Sequence, residues 1–96
     1  MPGTENYKSI TIVGVGLIGG SIGMALRAQG WHVSGVEVDE DRLAAALDIG
    51  AVDTVGWDAE AEVSFVATPV GQIPEMVVEA LAVAPGGVVT DVGGVK

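Results

Sequence analysis

Ninety-six residues make one small domain, able to bury roughly 65% of its unfolded surface, and 49% hydrophobic against 18% charged residues supply material for a core. Four Lys and Arg stand against 13 Asp and Glu, a net charge of −9; that field repels polyanions and argues against nucleic acid or an anionic membrane surface as a partner. No Cys is present, so disulfides and thiolate metal sites are excluded, as fits a reducing compartment.

The chain opens with polar residues 1–8, which lack a signal-like apolar segment. No apolar run reaches the roughly 18 residues of a membrane span, and a cytoplasmic location is expected. Residues 9–15 are apolar nearly throughout, the mark of a parallel strand covered on both faces. A helix is expected over 17–29, with Ile18, Ile22, Ala25 and Leu26 on one face and Gly30 as its stop. A second strand follows over 32–38. Asp39 is a natural N-cap for a second helix, with Glu40 and Asp41 in its first turn, where acids suit the helix dipole. Leu43, Ala46 and Leu47 give that helix an inner face, and Gly50 ends it.

Residues 51–57 have room for a short edge strand, and 63–68 form the next buried one. Pro69 and Pro74 bracket a turn into a third helix. There Ile73, Val77, Ala80, Leu81 and Ala84 form an apolar stripe. Pro85-Gly86-Gly87 breaks the helix, and 88–92 is the last strand. Strands alternating with helices predict an α/β fold: a Rossmann-like parallel sheet with right-handed crossovers and helices on both faces.

Gly14-Val15-Gly16-Leu17-Ile18-Gly19-Gly20 lies between the first strand and the first helix. Chance spacings are common with 15 glycines, so the placement carries the signal. Gly14 would allow the tight turn, Gly16 the approach of a pyrophosphate, and Gly19 close packing of helix on strand. The helix N-terminus behind them offers free N–H groups and a positive dipole end. The alternative is a tight turn with no ligand. Glu37, at the end of the second strand, is placed to accept hydrogen bonds from the adenosine ribose hydroxyls. Its charge favours NAD over NADP, while Arg42 leaves room for NADP and Asp39 could take over the role of Glu37. The nucleotide site is therefore expected at Gly14, Gly16, Leu17, Ile18, Gly19 and Glu37, with Ala67, Thr68 and Pro69 on the nicotinamide side.

The single histidine, His32, falls at the amino end of its strand, whereas ligands of such sheets bind at the carboxyl ends. It reads as a surface residue, not a catalytic base. Asp91, near the carboxyl end of the last strand, either faces the cleft or caps a loop. Trp31 and Trp57 read as packing residues. No metal-ligand cluster, no nucleophile–base pair and no catalytic residue is identified.

Three segments resemble the N-terminal domain of the prephenate and arogenate dehydrogenases. They are Val13-Gly14-Val15-Gly16-Leu17-Ile18-Gly19-Gly20-Ser21, Ala67-Thr68-Pro69-Val70, and Thr90-Asp91-Val92-Gly93-Gly94-Val95-Lys96. The resemblance implies an NAD(P)-dependent enzyme of tyrosine biosynthesis, which oxidises prephenate or arogenate with loss of the ring carboxylate and aromatisation. Two departures stand out. Gly94 occupies a position where the family usually has Ser, near substrate and nicotinamide. The family's catalytic His and substrate-binding Arg lie further along, partly in a helical dimerisation domain. Residues 1–96 are thus expected to be the NAD-binding domain of a longer enzyme, truncated before that domain and inactive alone, with homodimerisation only through the missing part. Its absence should expose an apolar patch near the last strand. Two other readings remain: the cofactor domain of another dehydrogenase, such as one acting on β-hydroxy acids, and a non-catalytic nucleotide-binding module.

Overall fold

A computed structural model describes residues 8–68 and 70–92. Strand β1 (Ser9–Val13) leads through the glycine turn into α1 (Leu17–Ala28), then β2 (His32–Val36), α2 (Glu40–Asp48) and the two-residue β3 (Thr54–Val55). Strand β4 (Val63–Val66), a 3-10 turn (Val70–Gln72), α3 (Ile73–Val83) and β5 (Val88–Asp91) complete the order. The five strands form one sheet in the order β3-β2-β1-β4-β5, and every neighbouring pair is parallel. The expected short strand in 51–57 is thus β3, at the sheet edge.

Register sorts the sheet into two faces, because side chains alternate along a strand. Ile10 aligns with Val33 and Val63, and Ile12 with Gly35 and Phe65. Ile10, Ile12 and Val33 are completely buried in a core with Val15, Ala46, Ala51 and Val52, against which Ile22, Leu26 and Leu43 of α1 and α2 pack. Each large aliphatic side chain buried there contributes roughly 1.5–3 kcal/mol. On the other face Thr11, Ser34 and Ser64 stand side by side across three strands, all buried. The hydroxyls of Thr11 and Ser34 lie 3.2 Å apart, and Ser34 also donates to Ile10 O. Helix α3 packs on β4 and β5 and buries Ala80 and Ala84 completely or nearly so. The strand order runs one way from β1 to β3 and the other way from β4 to β5, so right-handed crossovers put α3 on the face opposite α1 and α2.

The helix faces differ from the amphipathic stripes. In α1 the buried positions are Gly19, Gly20 and Gly23, flanked by half-buried Ile22 and Leu26, while Ile18 and Ala25 are exposed. A Cβ on Gly23 would collide with Ala51 O, and one on Gly19 with Gly14 O and the Ile12 side chain. The helix lies so close to the sheet that only backbone fits at its centre line. In α2 the buried residue is Ala46 and Leu47 is exposed; in α3 Ala80 is buried and Leu81 is exposed.

Asp39 caps α2 as its sequence suggests, its carboxylate accepting from Asp41 N–H and Arg42 N–H at 3.0 and 3.1 Å. Trp31 packs against the core, with Lys8 Nζ 5.3 Å from its ring centroid, and Trp57 is half-buried. Strand β5 is the other sheet edge, and its Val88 is exposed. None of the helices among the described residues is long and apolar enough to cross a membrane.

Candidate functional site: the cleft at the carboxyl ends of β1, β2 and β4

The cleft forms where the strand order reverses. From β1 the chain moves to β2 on one side, and later enters β4 on the other, so the loops leaving β1 and β4 diverge. Sheets of this type bind ligands at that point. A cavity of about 260 Å³ opens there, with Gly14 and Gly16 of the turn, Glu37, Val38, Asp39 and Arg42 beyond β2, Ala67 and Thr68 beyond β4, and Gln72 and Met76 at the start of α3.

The glycine turn is set between its neighbours by backbone contacts. Gly14 N–H donates to Val36 O at 2.7 Å, and Ala67 N–H donates to Val13 O at 2.7 Å. Gly14 has φ +92°, a conformation that side chains disfavour. A Cβ there would sit 2.9 Å from Ala67 C and O, so this position requires glycine twice over. Gly16 is different. Its backbone is ordinary (φ −73°, ψ −153°), but nothing lies within 4 Å of the place a Cβ would take. It is the N-cap of α1 and offers no side-chain cap to the first-turn N–H groups.

Glu37 is at the tip of β2 and half-buried. Its Oε1 accepts from Val15 N–H at 3.0 Å, and its Oε2 accepts from Asp39 N–H at 3.0 Å. Across the cleft Thr68 Oγ1 is buried and has no hydrogen-bond partner among the described residues. An orphaned buried hydroxyl costs roughly 1–3 kcal/mol, a penalty that a polar ligand entering the cleft would relieve. Arg42 is exposed on the first turn of α2 and is the one cation among the cavity residues.

Of the residues expected from sequence, Gly14, Gly16, Glu37, Ala67 and Thr68 meet in this cavity. Gly19 lies beneath the turn, buried against Gly14 and Ile12. Leu17 is 89% exposed and lines a separate groove between α1 and α2; Ile18 is also exposed. Neither side chain is among the cavity residues, which leaves their backbone N–H groups as the part of them relevant to an anion. Pro69 and residues 93–96, Gly94 among them, lie outside the described residues.

Sequence reasoning missed Val38, Gln72 and Met76. Val38 is 86% exposed, an apolar residue just past the end of β2, and an apolar residue after a strand-end acid was the available signal. Gln72 and Met76 are one helical turn apart, outside the apolar stripe of α3, and no local pattern tells which side of that helix leans over the cleft. His32 lies at the opposite end of the sheet, paired with Ser9. It is half-buried instead of a plain surface residue, with Nε2 3.1 Å from Thr54 Oγ1 and Nδ1 3.9 Å from Asp53 Oδ2. Asp91 ends β5, exposed and in register with Val66, and is not among the cavity residues.

Open space before an uncapped helix, at the reversal point of a parallel sheet, makes the molecule a Rossmann-type nucleotide-binding domain. Which one follows from comparison with known proteins. Residues 22–96 match the model of the prephenate dehydrogenase nucleotide-binding domain, and the chain belongs to that family. It is 33% identical to the prephenate dehydrogenase of Bacillus subtilis, over 92% of this chain and 26% of that protein. Such a match leaves out too few residues to miss the glycine turn. Among solved structures, the arogenate dehydrogenase of Synechocystis is 32% identical, with a TM-score of 0.79, over 92% of this chain and 34% of that one. The prephenate dehydrogenase of Aquifex aeolicus, in complex with hydroxyphenyl propionate and NAD+, shares the fold at 24% identity and a TM-score of 0.77, over 88% and 32% of the two chains. The chain thus spans about a quarter to a third of the length of these relatives.

Proposed function

We propose that this chain is the NAD-binding part of a prephenate or arogenate dehydrogenase of the cytoplasm. The observation that carries the reading is the open space at Gly16, in front of the uncapped first turn of α1 and beside the half-buried Glu37. A pyrophosphate fits that chemistry, because backbone N–H groups and the helix dipole hold anions without a cationic side chain. The −9 charge makes this economical, since only four Lys and Arg exist to do the work.

In this reading Glu37 accepts from the ribose hydroxyls of the adenosine, and its charge opposes a 2′-phosphate. The Thr68 hydroxyl meets the second ribose, and Ala67 borders the nicotinamide. NAD held there supplies a hydride acceptor for an oxidation that proceeds with loss of the ring carboxylate. The residues of this chain bind the cofactor, orient it and exclude water from one side. Among the cavity residues there is no His, and Arg42 is the single cation. Acid–base chemistry and recognition of a dianionic substrate therefore fall to groups other than these. Calorimetric titration of the chain with NAD and NADP tests the assignment. NAD should bind more tightly; tighter binding of NADP would contradict it.

A further inference from the structure

One side chain ties the glycine turn to the neighbouring strand on the same side of the cleft. The bond from Val15 N–H to Glu37 Oε1 links the glycine turn to β2 across 22 residues, whereas the bond from Asp39 N–H to Oε2 is local. The Val15 side chain is buried in the core, but the backbone of the turn has few anchors of its own. Gly14 and Gly16 carry no side chains, the β1 ladder ends at Val13, and Gly14 N–H is already given to Val36 O. Val15 N–H is the next donor along, and a carboxylate is the partner it finds. Hydrogen bonds to ionised acceptors are about twice as strong as neutral ones.

We infer that Glu37 is a positioning residue as well as a ribose acceptor: its carboxylate tethers the glycine turn to the tip of β2, so that the geometry of the pyrophosphate-binding turn depends on the group that reads the sugar. A carboxylate offers about four lone-pair sites; the two backbone bonds leave two for the ribose hydroxyls, and the roles do not compete. The ligand half of this inference rests on the nucleotide-binding reading. The tether itself is a contact within the chain and does not depend on that reading.

Two variants separate the contacts. Glu37→Asp keeps the charge and shortens the side chain by one methylene. An aspartate there retains the local bond to residue 39, which has the form of an Asx turn, but falls short of Val15. Glu37→Gln offers one acceptor and one NH2 group, so one of the two backbone donors is left facing another donor.

Amide hydrogen exchange, read from 1H–15N spectra of the unliganded 96-residue chain, is the first arm. In Glu37→Asp the Val15 amide should exchange at least roughly tenfold faster while Asp39 keeps its protection, as loss of a charge-assisted bond predicts. In Glu37→Gln at least one of the two amides should lose protection. Unchanged Val15 exchange in Glu37→Asp would overturn the tether. The second arm titrates ADP and 2′,3′-dideoxy-ADP, which has no ribose hydroxyls for Glu37 to accept from. Glu37→Asp should bind the dideoxy probe about fivefold more weakly, the net worth of one hydrogen bond, although no charge has changed. Wild-type affinity for that probe would overturn the coupling. Failure of ADP to bind the wild-type chain would instead contradict the nucleotide reading, and the exchange result would still decide the tether.

Discussion

Replacing Gly16 with valine puts a branched side chain where nothing lies within 4 Å of a Cβ, on a backbone that any residue adopts. Stability should fall by only about 1 kcal/mol, the cost of replacing a Gly cap by an apolar one. Nucleotide affinity should nevertheless fall by roughly tenfold or more, since the side chain fills the space proposed for the pyrophosphate. At Gly19, three residues on, the balance reverses. A Cβ there meets Gly14 O and Ile12, so Gly19→Ala should cost about 1–3 kcal/mol of stability through overpacking. Chemical denaturation and calorimetry on the two variants separate the effects; equal stability losses would contradict the division of roles. The packing role of Gly19 was legible in the sequence, because the motif sits at a strand-to-helix junction. The tie between Glu37 and Val15 was not, since a bond across 22 residues leaves no local pattern.

At the scale of elements, hydrophobic periodicity located all three helices but misjudged their centre lines. In each, the expected stripe contains a residue that proves exposed: Ile18, Leu47 and Leu81. The contact line instead runs through small residues: Gly19 and Gly23 in α1, Ala46 in α2, and Ala80, with Ala84 just beyond the end, in α3. Ranking positions by hydrophobicity favours large side chains, whereas helices packed tightly on a sheet put their smallest residues at the point of closest approach and wedge the larger ones beside it. Four strands also stop short of expectation, at Val13, Val36, Val66 and, by one residue, Asp91. After the first three the chain peels away to form the cleft, although apolar residues still follow Val13 and Val66. Helix α2 was the most legible element, because its cap is chemical and not periodic. Asp39→Ala removes two hydrogen bonds to Asp41 and Arg42 N–H and should cost about 1 kcal/mol, a fall of roughly 4–8 °C in Tm for a domain of this size. A thermal melt with no shift would show that the cap contributes nothing.

For the molecule as a whole, the parallel sheet and its one reversal explain why residues from positions 13 to 76 share a single cavity. Composition and element order predicted that sheet, and the family match over residues 22–96 agrees with it. What the order could not predict was which loops would face one another closely. That depends on the Gly14 approach to Ala67 and on the lean of α3. In the proposed function this cavity receives NAD. Titrating NAD into the 15N-labelled chain and mapping the perturbed amides tests it most directly. Shifts should concentrate at Gly14, Gly16, Leu17, Ile18 and Gly19, at Glu37, and at Ala67 and Thr68. No saturable shifts, or shifts centred on His32 and Asp53 at the other end of the sheet, would contradict it.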